Sequence, residues 1–251
     1  MILLSTLALA TLSERGRTTC LAAFEAAAGA SERGQAERLR REQDQVSYRV
    51  SHGFLRLALA SEAGCIPEDI DIRFFPGEKP VCPGGPHFNM SHAGNWVVVA
   101  VSRSREVGVD VEALPRDREA SVPMAVSPEE MPLLPSLADR RDRAETLLWS
   151  IKEAALKLTG EVMVEPGHLA VRPAGEGLFR VGPARAATAP VREAFVRQIR
   201  LDGEHVLSLA TYEAVPLSQI AAIPDCWRGP PGPNIAAPAI PPVGHAPELR
   251  S

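Results

Sequence analysis

The sequence predicts an α+β chain built as two successive halves, each a helical stretch followed by strands. Three observations carry this. Residues 13–60 are rich in Ala, Glu, Arg and Leu and contain no proline, so no residue there forces a helix to stop. From Ile66 the chain changes to β-like runs, turns and prolines. A second helical run, Asp142–Leu158, is again followed by short apolar runs between Gly and Pro over residues 168–213. The division falls near Arg103–Arg105, giving an N-terminal half of residues 1–104, a C-terminal half of 105–228 and a tail of 229–251.

The elements can be justified in order. Met1–Leu12 is almost wholly apolar, but no Lys or Arg precedes it and the following SERGRTTC is a poor cleavage region. It reads as a buried first strand or helix rather than a secretion signal. Val46–Ala60 has apolar residues at helical spacing, just after the basic cluster Arg38, Arg40 and Arg41. Phe88 and Met90 alternate with Asn89, a short strand expected to run into a polar turn at Ser91–Gly94. Trp96–Val101 (WVVVAV) is a strand, SRSRE a turn and Val107–Glu112 a second strand. Ser127-Pro128-Glu129-Glu130 opens like a helix with Ser127 as its cap. The tail from Gly229 holds seven prolines in 23 residues and is expected to be disordered.

Composition narrows the function. The net charge is −4 over 251 residues, against a nucleic-acid or anionic-membrane coat. No stretch reaches the ~20 apolar residues of a membrane-spanning helix. Cys20, Cys65, Cys82 and Cys226 are not at metal or redox spacing, which suits buried or incidental thiols of a reduced cytoplasmic protein. Of the 27 basic residues only three are lysines: Lys79, Lys152 and Lys157. A chain that uses Arg almost everywhere is expected to keep Lys where a compact ammonium is needed.

Two segments carry candidate chemistry. In the strand Val107–Glu112 the valines share one face, while Gly108, Asp110 and Glu112 share the other. Two carboxylates ~7 Å apart can hold Mg²⁺, or can simply be solvated on an open sheet face. In the helix, Leu148, Ile151, Ala155 and Leu158 form an apolar stripe, with Glu153 and Lys157 one turn apart on the opposite side. That pair is either a surface ion pair or a carboxylate and an ammonium presented into a cleft. Ser91 and His92 are adjacent and so do not face each other as nucleophile and base; no G-x-S-x-G elbow and no P-loop is present.

Taken in order, GEKP at Gly77–Pro80, FNMSH at Phe88–His92, GVDVE at Gly108–Glu112 and WSIKEAALK at Trp149–Lys157 resemble the 4'-phosphopantetheinyl transferases of the longer, surfactin-synthetase type. The resemblance runs roughly from Arg38 to Ala210. It implies two similar α/β sandwich halves related by a pseudo-two-fold axis, with coenzyme A between them, so that one chain works as a monomer. The implied activity is that of a holo-carrier-protein synthase: Mg²⁺- or Mn²⁺-dependent transfer of phosphopantetheine from coenzyme A to a serine of an apo acyl or peptidyl carrier protein. Adenosine 3',5'-bisphosphate is released, and neither nucleic acid nor membrane takes part. By resemblance, Asp110, Glu112 and Glu153 hold the metal, Glu153 is the general base and Lys157 meets the phosphoryl group. Lys79 is expected at the adenine nucleotide, and Ser91 and His92 at the coenzyme A phosphates. Lys152 is expected at a phosphate or a neighbouring carboxylate, and Arg38, Arg40 and Arg49 at the 3'-phosphate. The alternative is a relative that binds coenzyme A or another nucleotide without turnover. Two departures from the family pattern, Thr159–Met163 with a single Gly and Ala125-Val126 in place of an aromatic residue, bear on carrier choice.

Overall fold

The computed structural model describes residues 1–75, 77–116, 126–160, 164–185 and 192–223. The proline-rich tail, Cys226, Ala125 and residues 161–163 lie outside the described residues. The apolar N-terminus forms β1 (Ile2–Ala8), followed by helices α1 (Glu14–Ala27), α2 (Ala30–Arg38) and α3 (Glu42–Ala63). Then come the hairpin β2 (His87–Ala93) and β3 (Trp96–Ser102), and β4 (Gly108–Ala113). A short 3₁₀ turn and α4 (Leu134–Leu137) lead into α5 (Arg141–Thr159). The rest is β5 (Leu169–Gly175), β6 (Leu178–Pro183), β7 (Ala194–Arg200), β8 (His205–Thr211) and β9 (Ile220–Ile223).

The strands make two sheets, ordered β2-β3-β1-β9 and β4-β8-β7-β6-β5. Each half repeats one plan. A first strand (β1 or β4) pairs antiparallel with the second strand of a later hairpin (β2–β3 or β7–β8), and a long helix (α3 or α5) lies between them in sequence. The hairpin β5–β6 is an addition to the second half. The expected α+β fold is therefore present, with its strands in two sheets. Residues 220–223 leave the second half and pair parallel with β1 in the first sheet.

Strand alternation explains the layering. Val97, Val99 and Val101 face a core shared with Val50, Phe54 and Leu59 of α3. Val98 and Ala100 face the other way, against Val107, Val109 and Val111 of β4 and Leu207 and Leu209 of β8. Beyond the second sheet, Leu148, Ile151, Ala155 and Leu158 of α5 pack on Val171, Val181 and Val196. The order is thus helix, sheet, sheet, helix. The valine face of β4 lies in the middle core, as its alternation predicts.

Two local readings change. Pairing with β3 carries β2 through to Ala93, so Ser91 and His92 are strand residues and the turn is Gly94-Asn95. At the segment after Ser127 the serine hydroxyl is buried without a hydrogen bond. Instead Glu130 reaches back, its Oε2 accepting the Ser127 N–H at 2.7 Å.

The opposite face of β4 meets α5 closely because Gly108 has no side chain. A Cβ there would lie 2.2 Å from the Ala154 carbonyl oxygen and 2.5 Å from the Leu158 nitrogen, both helix backbone. Gly108→Ala is therefore expected to lower stability by about 1–3 kcal/mol, by forcing α5 off the sheet. Gly203→Ala, with open space around the added methyl, should stay within ~0.5 kcal/mol of the parent. Urea denaturation of both variants checks this; equal losses would refute the close-approach role.

Candidate active site

β4 has a strand neighbour, β8, on one side only. Its other edge faces β2, and two side chains of β2 close it. Asn89 Oδ1 accepts the Val109 N–H at 2.8 Å, and Ser91 Oγ accepts the Val111 N–H at 3.3 Å. These bonds hold Asp110 and Glu112 in register beside β2.

α5 supplies the other wall. Trp149, Glu153 and Lys157 recur every four residues and so share one helix face. At one end, Lys157 Nζ donates to Asp110 Oδ1 at 2.6 Å and to Ser91 Oγ at 3.1 Å, while Ser91 donates to the same Asp110 oxygen at 3.1 Å. At the other end, Trp149 Nε1 donates to Glu112 Oε1 at 3.0 Å. Glu153 lies between. Asp110 is 2% exposed, and its Oδ2 is buried with no hydrogen-bond partner.

The electrostatics follow from three carboxylates gathered around one ammonium. Burial, together with the negative charge of Asp110, pushes Glu112 up to about 7, against the pull of Trp149 and Lys157. Burial likewise raises Glu153, opposed by Lys157 and reinforced by Asp110.

A cleft of about 1010 Å³ opens on the α1–α3 side of β2, lined by Leu12, Leu39, Tyr48, His52, Met90 and His92 among others. One of its walls is a built cluster. His52 is stacked under Tyr48 at 3.9 Å between ring centroids, and its Nδ1 lies 3.0 Å from Glu32 Oε1. The other Glu32 oxygen is held by Arg56, which also donates to the Ile70 carbonyl at 2.9 Å.

Residues 106–209, which run from just before β4 almost to the end of β8, match the family profile described as the 4'-phosphopantetheinyl transferase superfamily. Both carboxylates of β4 and the whole polar face of α5 lie inside that match. Over that stretch the chain is similar to the 4'-phosphopantetheinyl transferase superfamily. It is 30% identical over 145 residues to slr0495 of Synechocystis sp., covering 55% of this chain and 59% of that one. It is 29% identical over 151 residues to 4'-phosphopantetheinyl transferase HetI of Nostoc sp., covering 57% and 62%. Against 4'-phosphopantetheinyl transferase Sfp of Bacillus subtilis it is 36% identical over 101 residues, 38% and 45% of the two chains. The matched region thus spans about six-tenths of the first two relatives.

Asp110, Glu112, Glu153 and Lys157 lie close enough to act on one another's charge. Of the β4 acids, Asp110 is buried and Glu112 half-buried, so neither stands on an open face. His92 is exposed and lines the cleft. Other expected ligand residues have protein partners in the structure. Ser91 is 7% exposed and its hydroxyl bonds to β4, Lys157 and Asp110. Lys79 donates to the carbonyls of Val107 at 2.6 Å and Leu158 at 3.5 Å, joining the start of β4 to the end of α5. Burial lowers its ammonium to about 8. Lys152 is fully buried against Glu130 Oε2 at 2.7 Å, the neighbouring carboxylate and not a phosphate. Glu130 Oε1 also accepts the Val171 N–H at 2.7 Å, which ties α5 to β5. Arg38 and Arg40 are exposed, and Arg49 pairs with Glu25 at 3.5 Å; none of these three lines the cleft. Sequence reading did not single out Asn89 and Trp149, which bond to β4, or Tyr48 and His52, which line the cleft. For Asn89 and Trp149 the signal was their place inside the FNMSH and WSIKE motifs; for Tyr48 and His52 it was only their four-residue spacing.

The donor set suits a hard divalent cation. All candidate ligands are carboxylate oxygens, and one of them is a buried acceptor without a partner. Among the described residues no three His, Cys, Asp or Glu side chains converge closely enough to hold an ion alone. Water and ligand oxygens would complete the shell, as Mg²⁺ prefers.

The raised Glu112 carries a pH signature. An acid whose folded pKa lies above its unfolded value binds more protons when folded, so it favours the fold at low pH and loses that contribution as pH rises from about 4.5 to about 7. With chelator present, the melting temperature should fall across this window through the Glu112 contribution, and Glu112→Gln should flatten that fall. Thermal melts between pH 4.5 and 8 check this; an identical pH slope in the variant would refute it.

Proposed function

We propose that this chain transfers 4'-phosphopantetheine from coenzyme A to a serine hydroxyl of an apo acyl or peptidyl carrier protein, as a holo-carrier-protein synthase. The observation that carries it is the junction where Asp110 and Glu112 of β4 are held against Glu153 and Lys157 of α5, with one buried carboxylate oxygen left open. The serine Oγ would bond to the phosphorus that bears the pantetheine. The bond from that phosphorus to the bridging pyrophosphate oxygen breaks, and adenosine 3',5'-bisphosphate leaves. Glu153, which burial makes a stronger base than an exposed carboxylate, is suited to take the serine proton, directly or through water. Lys157 has three N–H donors, of which Asp110 and Ser91 engage two. The third is available to the phosphoryl oxygens. Asp110, Glu112 and Glu153 would hold Mg²⁺, or Mn²⁺ in its place, and the ion would neutralise charge developing on the departing 5'-phosphate of adenosine 3',5'-bisphosphate.

The cleft beside His92 is the proposed seat of the nucleotide end of coenzyme A. A monomer suffices on this reading, because the first half supplies Asn89, Ser91 and the cleft while the second supplies β4 and α5. A cytoplasmic location fits a coenzyme A-dependent reaction; among the described residues no helix is long and apolar enough to cross a membrane.

The test is to incubate the chain with coenzyme A, Mg²⁺ and apo carrier proteins of fatty-acid, polyketide and peptide type, and to weigh the carriers. One carrier should gain one phosphopantetheine. No gain with any of them would overturn the proposal. Asp110→Ala should lower turnover by ~10²-fold or more, as when a charge-stabilising contact to the transition state is removed. Lys157→Arg should also lose rate, because a planar fork cannot reproduce a point ammonium between Asp110 and Ser91.

A further inference from the structure

The two strand carboxylates are oriented by different donors, and the pattern is symmetrical. Asp110 has one oxygen, Oδ1, held by Lys157 and Ser91, while Oδ2 is buried and unpartnered. Glu112 has one oxygen, Oε1, held by the Trp149 indole N–H at 3.0 Å. Among the described residues nothing hydrogen-bonds its Oε2. Each acid is thus pinned through one oxygen and presents the other. A carboxylate with two free oxygens can rotate about its terminal bond and bind an ion through either or both. A pinned one offers a single, fixed acceptor, and partners that orient metal ligands in this way change metal affinity substantially. Trp149 also lies one helical turn before Glu153, so the residue that aims Glu112 sits on the same rigid face as the third candidate ligand.

We propose that Trp149 is a positioning residue for the cation site: its indole N–H fixes Glu112 Oε1, so that Oε2 is the oxygen offered to the ion, as Ser91 and Lys157 leave Oδ2 of Asp110. This rests on the assignment of the β4 carboxylates to a divalent cation. It gives the motif tryptophan a role that packing alone does not supply, since any large apolar residue would fill the same space. The indole N–H donates and cannot accept, so it matches an ionised Glu112 and does not compete for the cation.

The experiment is a calorimetric titration of Mn²⁺ into the full chain already saturated with coenzyme A, without carrier protein. Trp149→Phe keeps the aromatic bulk and removes the N–H. It should weaken Mn²⁺ binding by about 10-fold or more. A Trp149→Phe variant with the parent's affinity overturns the proposal. Glu112→Gln separates this from the underlying reading: if that variant also binds Mn²⁺ like the parent, the metal assignment itself fails. The parent protein gives a second measurement that needs no variant to fold. Addition of Mg²⁺ to the coenzyme A complex should shift the Trp149 indole N–H resonance by NMR and leave that of Trp96, which donates to Asp202 at 3.2 Å, where it was. An unmoved Trp149 resonance, or an equal shift of both, also overturns the proposal.

Discussion

A strand edge needs partners, and the way β4 finds them decides the rest of the molecule. Had β2 met β4 as an ordinary strand neighbour, the two sheets would have merged into one. Instead Asn89 and Ser91 substitute side-chain oxygens for backbone carbonyls, accepting the Val109 and Val111 N–H groups. The edge is satisfied, as a buried edge must be, yet the strands stay separate sheets. That separation lets Lys157 reach both Ser91 and Asp110. The absence of a side chain at Gly108 sets the distance on the other side, by letting the α5 backbone approach β4. The site is therefore a by-product of how two halves of one chain meet.

The lysines refine this picture. A strong bias to arginine leaves three lysines, and each ammonium is lodged at a joint. Lys79 sits on the carbonyls of Val107 and Leu158, Lys152 on Glu130, and Lys157 on Asp110 and Ser91. Only the last borders the proposed chemistry. The first two hold β4 to the end of α5, and α5 to β5 by way of Glu130. Burying such charges costs free energy that the partners only partly return, so removing one partner leaves the other stranded. Lysine scarcity therefore pointed to compact, enclosed positions, but enclosure and ligand contact are different properties.

What could be read in the sequence divides along the same line. The long helices, WVVVAV and the valine face of β4 were legible because alternation and helical spacing are local signals. The gathering of Asp110, Glu112, Glu153 and Lys157 was legible through the family motifs, since about forty residues of chain separate the acids of β4 from those of α5. The direction in which Ser91, Lys79 and Lys152 point was not legible. Each turns toward a backbone group or a side chain distant in sequence, and a motif records residue type without recording its partner. The return of residues 220–223 to pair with β1 was hidden for a similar reason. A four-residue strand has no periodicity long enough to say which sheet will take it.

Charge balance at the junction ties these strands together. Among the described residues Asp110, Glu112 and Glu153 face one ammonium, that of Lys157. With all of them ionised the junction is short of two positive charges, and the protein's response is visible in the raised Glu112 and Glu153. A divalent cation would supply the missing charge. A pyrophosphate arriving alone would meet uncompensated carboxylates, whereas one arriving with its cation would meet a junction close to neutral. On the proposed function, three carboxylates around one ammonium are the arrangement that would favour an anionic ligand carried by a divalent ion.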